Sequence, residues 1–406
     1  MKVLLSAYAC EPNRGSEPGV GWHWALELAS LGHDVWVITR ESNKKNIEEA
    51  MVGYKNIDNL NFLYFELPTW AKWWKKGSRG IRLYYLLWQV GAYCAAKEAH
   101  SQLQFDRIHH VTFVSVRQPS FMGSFGVPFI FGPVGGGESA PLQLRIGYGL
   151  RGLLLDGIRD VANFIVKLDP FMWYTFYKAE LIYVTSEQTR DLIPLRFRNK
   201  TRVQLAIGYE ETNKNTYARS DSSNTFRVLY VGNFLYLKGM HLGLEAFAIL
   251  CKQVPNAVLT MVGHGPEEKK WKELVEKLGI AHCVEWVSWV DQNELARIYK
   301  QHDVFLFPSL HDSGGMVVLE AMASGLPVVC LELGGPGVIV DKSCGEVINV
   351  KGNNQNMVID DIAAALLRLQ ESSSLQNELS EGALDRVKYF GWKNLVKCIY
   401  NTNVRI

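Results

Sequence analysis

The sequence lacks most of the features that would assign it at a glance. It has no C-x-x-C pair: its seven cysteines, Cys10, Cys94, Cys251, Cys283, Cys330, Cys344 and Cys398, are odd in number and scattered. That pattern fits free thiols in a reducing compartment rather than a disulfide scaffold. It has almost no net charge, 43 Lys and Arg against 41 Asp and Glu. A dedicated nucleic-acid binder would need a broad basic excess, and there is none. No apolar run reaches the roughly 18 residues of a membrane span. The opening MKVLLSAYAC has the outline of an export signal ending in a lipoprotein cysteine. Its apolar core is only about seven residues, and polar, helix-like sequence follows at once, so it reads as a first strand. The glycines near residue 15 do not fall in the G-x-G-x-x-G spacing, which makes a dinucleotide site unlikely on pattern alone.

What is present is the make-up of a well-packed globular protein, 48% hydrophobic and 21% charged over 406 residues, long enough for two domains. Lys2 to Ala9 reads as a strand, Val20 to Leu31 as a helix closed by Gly32, and His33 to Thr39 as a second strand. Strand, glycine turn, helix, strand opens a doubly wound α/β domain. Further strands are expected at Arg107 to Phe113, Pro128 to Val134 and Leu181 to Thr185. Residues 209–225 are polar and patternless, an expected linker between a domain over 1–208 and a second over 226–385. Strand–helix alternation restarts at Phe226, and Ala363 to Leu369 and Leu375 to Tyr400 read as terminal helices, 386–406 being the closing segment. Within the first domain, residues 67–97 carry Lys72, Lys75, Lys76, Arg79, Arg82 and Lys97 with no acid, interleaved with Trp70, Trp73, Trp74 and Trp88. This suits contact with an anionic membrane. It equally suits a helix that buries its aromatics and solvates its lysines.

The chemistry concentrates in Val304 to Val329, VFLFPSLHDSGGMVVLEAMASGLPVV. A buried strand, a short polar loop, a helix opening near Met316 and a further strand at Pro327 to Val329 are expected. Gly314 and Gly315 allow close approach to backbone, and they precede a helix N-terminus whose unpaired N–H groups favour an anion. Glu320, about one turn in, and Asp312, at the loop mouth, can accept hydrogen bonds from sugar hydroxyls. The plainer reading has Asp312 or Ser313 capping the helix and Glu320 on a solvated face.

Pro308, Ser309, Gly315, Glu320, Ala321, Met322, Gly325, Pro327 and Val328 resemble the P-S-x-x-E-x-x-G-x7-E-A-M-A-x-G-x-P-V region of the retaining GT-B glycosyltransferases of group 1 (family four), with Asp312 in place of the first Glu. FRVLYVGNFLYLKG is similar to that family's V-G-R-x4-K-G segment, with Lys238 and Gly239 matching and Asn233 in the arginine position. The resemblance implies two Rossmann-like domains facing across a cleft, a terminal helix over 386–406 that crosses back to the first domain, and transfer of a sugar from a nucleoside diphosphate sugar. It implies that Lys238 and the backbone of Gly314, Gly315 and Met316 meet the diphosphate. Glu320 would then hold the ribose, Asp312 the donor sugar, and Gly263 and Trp289 would lie by the base. It also implies a glycine loop, Gly15, Gly19 and Gly21, near the phosphate and acceptor. Phe105-Asp106 with His109 resembles the family's F-D-x-x-H segment, so His109 is either a functional or a hydrogen-bonded structural histidine. Asn233 brings no charge, and Arg14 or Arg117 are the candidates to replace it. There is no D-x-D, and with Lys238 present no metal or other cofactor is expected. A glycan or lipid-linked acceptor, a cytoplasmic location and peripheral membrane contact complete the expectation. A GT-B nucleotide-sugar epimerase and a catalytically silent subunit of a glycan-assembly complex are the alternatives.

Overall fold

The computed structural model describes residues 1–54, 57–72, 74, 80–113, 115–210 and 225–400. The expected linker lies almost wholly outside them, at 211–224, as do Trp73, Lys75, Lys76 and Arg79. The chain forms two compact units: Met1–Gly137 with Val161–Gly208 and the segment from Trp392, and Glu138–Asp160 with Tyr209–Gly391.

The first unit is built on seven parallel strands: β1 (Lys2–Ser6), β2 (Asp34–Arg40), β3 (Leu60–Phe65), β4 (Arg107–His110), β5 (Phe129–Val134), β6 (Leu181–Val184) and β7 (Thr201–Val203). They are ordered 3-2-1-4-5-6-7. β1 and β5 are buried along almost their whole length, which is why they read as apolar runs rather than alternating ones.

The first helix spans Ser16–Ser30, starting four residues ahead of the expected Val20. Pro18 in its first turn costs nothing, because the N–H it lacks would have no intrahelical partner there. Gly19 and Gly21 therefore sit inside the helix, not in a loop. A Cβ at Gly19 would stand 2.3 Å from the Arg14 carbonyl oxygen, and one at Gly21 2.1 Å from that of Ala9. Both glycines let the helix press against its own entry loop, which corrects their assignment to a ligand loop. Gly15 caps the helix with open space around it.

The helix Ile81–Leu103 settles part of the reading of 67–97. Tyr84, Tyr85 and Trp88 are buried in the core, and the Trp88 indole N–H donates to the Phe65 carbonyl at 3.0 Å. Trp74 packs on the same core, whereas Trp70 is exposed. Among the described residues the aromatics mostly pack inward. The chain returns to this unit at its end: Trp392, opening the helix Trp392–Tyr400, stacks on His23 at 4.6 Å. The expected continuous helix from Leu375 is broken, since Ser373–Val387 ends in a single 3-10 turn and Gly391 is extended.

The second unit has six parallel strands: β8 (Phe226–Val231), β9 (Ala257–Val262), β10 (Val284–Val287), β11 (Val304–Phe307), β12 (Val328–Leu331) and β13 (Gly345–Ile348). Their order, 10-9-8-11-12-13, is the doubly wound order 3-2-1-4-5-6. Strand order reverses between β8 and β11, and in such sheets ligands bind beyond the carboxyl ends of the strands at that point. Glu138–Asp160, expected in the first domain, packs here instead. The Tyr148 ring meets Tyr236 edge-on at 4.7 Å, and Lys270 Nζ donates to the Gly147 carbonyl at 2.5 Å. Among the described residues no helix is long and apolar enough to cross a membrane.

Candidate anion site at the strand reversal of the second unit

The loops leaving β8 and β11 bring the central residues together. Glycines make this possible by removing side chains where backbones touch. Gly239 lies in the left-handed region at φ 67°, and a Cβ there would fall 2.0 Å from the Pro308 carbonyl oxygen. Gly263, at φ 139°, abuts the Gly232 carbonyl in the same way, at 2.1 Å. The β8 loop is thus clamped between the loops after β9 and β11.

Lys238 closes a single 3-10 turn, Tyr236–Lys238, and its Nζ lies 2.5 Å from Asp312 Oδ2. The side chains are only 15% and 16% exposed, so water screens this pair little. The ammonium also sits 5.1 Å from the Phe307 ring centre. The other carboxylate oxygen, Oδ1, accepts from Gly314 N at 3.0 Å and Gly315 N at 2.8 Å. Burial alone would raise the Asp312 carboxyl. The Lys238 charge and hydrogen bond and the two N–H groups overcome it and hold the group below the usual carboxylate range. Asp312 therefore does cap the turn before the helix Met316–Ala323, and it does so by filling an anion receptor made of one ammonium and two amides.

Gly315 is the helix N-cap, at φ 67°, with Ile339 Cδ1 2.6 Å from where its Cβ would lie. Glu320, half-buried one turn further on, accepts from the Tyr299 hydroxyl at 3.1 Å. Burial raises its pKa and the Tyr299 bond only partly opposes this. Asn233 is exposed, and its carbonyl accepts from the Tyr230 hydroxyl at 3.3 Å. Trp289 is exposed beyond the end of β10. Lys238, Asp312, Gly314 and Gly315 thus form one cluster, with Met316 and Glu320 on the helix it caps.

The expected catalytic role of His109 does not survive the structure. β4 is buried on both faces, and His109 is fully enclosed. Its Nδ1 lies 3.0 Å from the Tyr400 hydroxyl and its Nε2 2.6 Å from the Gly132 carbonyl. Burial lowers its pKa to about 3, the Gly132 bond opposing. His109 is a neutral pin in the first unit's core with both nitrogens engaged. His110, on the opposite face, is also buried, 3.2 Å from the Tyr85 hydroxyl. Of the two candidate arginines, Arg14 pairs with Glu11 at 3.3 Å and Arg117 donates to Asn163 Oδ1 at 2.7 Å, both within the first unit.

The structure adds residues the motifs did not show. Gly334 and Gly335, straight after β12, lie against the site loop: Gly335 N donates to the Asp312 carbonyl at 2.7 Å. The run G-G-P-G at 334–337 was the available signal. Asp156 accepts from the Tyr236 hydroxyl at 3.2 Å and is paired with Arg159, so a guanidinium stands beside the Lys238 turn. His311 Nδ1 is buried without a hydrogen-bond partner. Burial and then Arg159 lower the His311 pKa, with Glu138, Asp156 and Asp312 opposing. The His311 ring thus adds a buried nitrogen with unused hydrogen-bonding capacity beside Asp312.

Residues 213–386 match the family model described as Glycosyl transferases group 1. A D-inositol 3-phosphate glycosyltransferase of Corynebacterium urealyticum is 31% identical over 175 residues, 41% of this chain and 40% of that protein. An amylovoran biosynthesis glycosyltransferase of Erwinia amylovora is 29% identical over 174 residues, 41% of this chain and 42% of that protein. The chain thus spans well under half the length of these curated relatives. HepE from Anabaena, solved in complex with UDP, matches over 99% of both chains with a TM-score of 0.57 at 16% identity. That likeness establishes the fold, two Rossmann-like domains of the GT-B kind.

Proposed function

We propose that this chain is a retaining glycosyltransferase. It moves a hexosyl or N-acetylhexosaminyl group from a nucleoside diphosphate sugar to an acceptor hydroxyl, in the assembly of a cell-surface polysaccharide or glycolipid. The observation that carries the reading is the convergence of Lys238 Nζ and the Gly314 and Gly315 N–H groups on one buried carboxylate. The convergence lies at the strand reversal of a unit whose sequence matches the group 1 family. The carboxylate marks where an anion is best stabilised, and a donor diphosphate competes for the same three groups. Exchange frees Asp312 to accept hydrogen bonds from the donor sugar.

As the bond from the sugar's anomeric carbon to the diphosphate breaks, its electron pair stays on the leaving oxygen. Lys238 and the N–H groups of Gly314, Gly315 and Met316 stabilise that charge. The acceptor oxygen bonds to the anomeric carbon on the same face, and its proton passes to the departing oxygen. No protein base is required, which accords with His109 being sequestered. Glu320, oriented by Tyr299, takes the ribose hydroxyls, and Gly263 and Trp289 lie towards the base. Asn233 leaves the diphosphate one charge short, and Arg159, which acts on the Tyr236 hydroxyl in the Lys238 turn, is the candidate replacement. On this reading the charge is met by side chains and amides without a metal, and the acceptor is a glycan or lipid-linked acceptor met from the cytoplasmic side of a membrane.

Incubation with a panel of nucleotide sugars and cell-derived lipid-linked acceptors tests this. Nucleoside diphosphate release together with glycosylated acceptor is the expected result. Epimerised donor formed without acceptor would assign an epimerase, and inertness towards every pair would assign a binding subunit.

A further inference from the structure

Two of the scattered cysteines meet in the fold of the second unit. Cys251 lies on the last turn of the helix Met240–Gln253, and Cys283 closes the single 3-10 turn Ala281–Cys283 that leads into β10. They are 32 residues apart in sequence, yet their sulfurs stand 3.3 Å apart. Cys283 is buried, and its thiol donates to the Ile280 carbonyl at 3.3 Å. A thiol carries one proton, so Cys251 is the donor between the two sulfurs. Cys251 is half-buried, which gives a small solute access to one member of the pair. Both cysteines sit at the edge where the strands begin, Cys283 directly before β10 and Cys251 shortly before β9. The anion receptor lies at the opposite edge. Lys238 precedes the same helix that Cys251 ends, and the rise from Met240 to Cys251 is about 16 Å.

We propose that Cys251 and Cys283 are a modification site, joined in a reversible disulfide by a hydroperoxide, that staples this end of the second unit and leaves the anion site untouched. In the first step Cys251, its proton given to water, attacks one peroxide oxygen. An S–O bond forms and the O–O bond breaks. The other oxygen leaves and takes a proton, and Cys251 is oxidised to the sulfenic acid. The Cys283 sulfur then attacks the Cys251 sulfur. The S–S bond forms as the S–O bond breaks, and the hydroxide leaves with the Cys283 proton as water. With hydrogen peroxide, two thiols and one oxidant give one disulfide and two waters. The sulfurs already stand within near-attack range, and about 1 Å of further approach reaches a disulfide bond length. Burial first, and then Cys283, holds the Cys251 thiol above its ordinary pKa. A catalytic nucleophile has the opposite shift, so the pair is oxidised slowly and takes no part in turnover. The bond would enclose β9 and the helix Glu268–Leu278 in one covalent loop and restrict the unfolded chain.

Peptide mapping tests it: the full chain is treated with hydrogen peroxide, alkylated in denaturant and digested without reductant. The expected product is a linked pair of peptides holding Cys251 and Cys283, two hydrogens lighter than their sum. Dithiothreitol should abolish it, and Cys251→Ala and Cys283→Ala should lack it. Oxidation should raise the melting midpoint of the parent by about 5 °C or more, as closing a loop of this length implies, and that of neither variant. Each protein is compared with its own reduced form, so packing lost on substitution cancels. Nucleoside diphosphate affinity should be the same in reduced and oxidised parent, and the cross-link is read whether or not the chain transfers a sugar. Cys251 recovered as a sulfinic or sulfonic acid with Cys283 still alkylated overturns the proposal, as do two thiols left unoxidised. A cross-linked parent that melts with its reduced form overturns the staple, and a fall in nucleotide affinity on cross-linking overturns its separation from the anion site.

Discussion

Lys238→Ala strikes the site where its energetics are most legible. The ammonium and the Asp312 carboxylate are about 15% exposed, in contact at 2.5 Å, and the carboxylate keeps two further bonds from Gly314 and Gly315. Removing one partner of a fully buried pair costs roughly 3–5 kcal/mol. The two surviving amide bonds lower that here, and about 1.5–3 kcal/mol, the value of one charged hydrogen bond, is the expected loss of stability. The same loss applied to a bound diphosphate weakens affinity about ten- to hundredfold. Calorimetric titration with nucleoside diphosphates and urea unfolding read the two effects separately. The pH dependence gives a further check. In the parent Asp312 is held below its ordinary pKa, so its stabilisation is present above the ordinary carboxylate range and is lost as pH falls through the depressed value. Without Lys238 burial dominates and the pKa moves up, so the stability gap between parent and variant should narrow in acid. Unchanged nucleoside diphosphate affinity in Lys238→Ala would refute the assignment of the diphosphate to this loop.

Glu320→Ala should weaken nucleoside diphosphate binding about tenfold while leaving the urea midpoint nearly unmoved, since the Tyr299 hydroxyl retains the Val317 carbonyl at 3.4 Å; a midpoint loss with intact affinity would make Glu320 structural. Gly239→Ala should lower both stability and nucleotide affinity, because a Cβ would fall 2.0 Å from the Pro308 oxygen and drive the Lys238 turn off the β11 loop; thermal melts and titration check it. His109, lowered to about 3, and His110, lowered to about 4, both by burial, bind no proton in the fold where the unfolded chain does. Stability should therefore be full above about pH 6.5 and fall in acid below it, by about 1.4 kcal/mol per pH unit for each histidine. His109→Asn should flatten that slope in urea titrations across pH.

The residues around the strand reversal were legible because chemistry there is tied to spacing. Lys238, Asp312 and Gly314 lie in the loops that follow buried strands, with Glu320 on the helix after the second of them, and an apolar run followed by glycine announces both the strand and the close backbone approach. Gly19 and Gly21 show the limit of that rule, since a glycine records only that something comes close. Here it is the Arg14 and Ala9 backbone rather than a ligand. His109 shows another: alternation along a strand says two histidines point oppositely, but not that both faces of β4 are covered. The destination of Glu138–Asp160 was hidden because it depends on tertiary contacts between Tyr148 and Tyr236 and between Asp156 and the same tyrosine.

The central claim, transfer with retention from a nucleoside diphosphate held by Lys238 and the Gly314–Gly315 amides, is tested most directly by the anomeric configuration of the product. Proton coupling constants of the new glycosidic linkage, read by NMR on the purified product of the parent chain, report it. The account predicts the same anomeric configuration as in the donor. An inverted product would contradict it, because inversion requires a protein base opposite the leaving diphosphate and a different catalytic arrangement from the one this site offers.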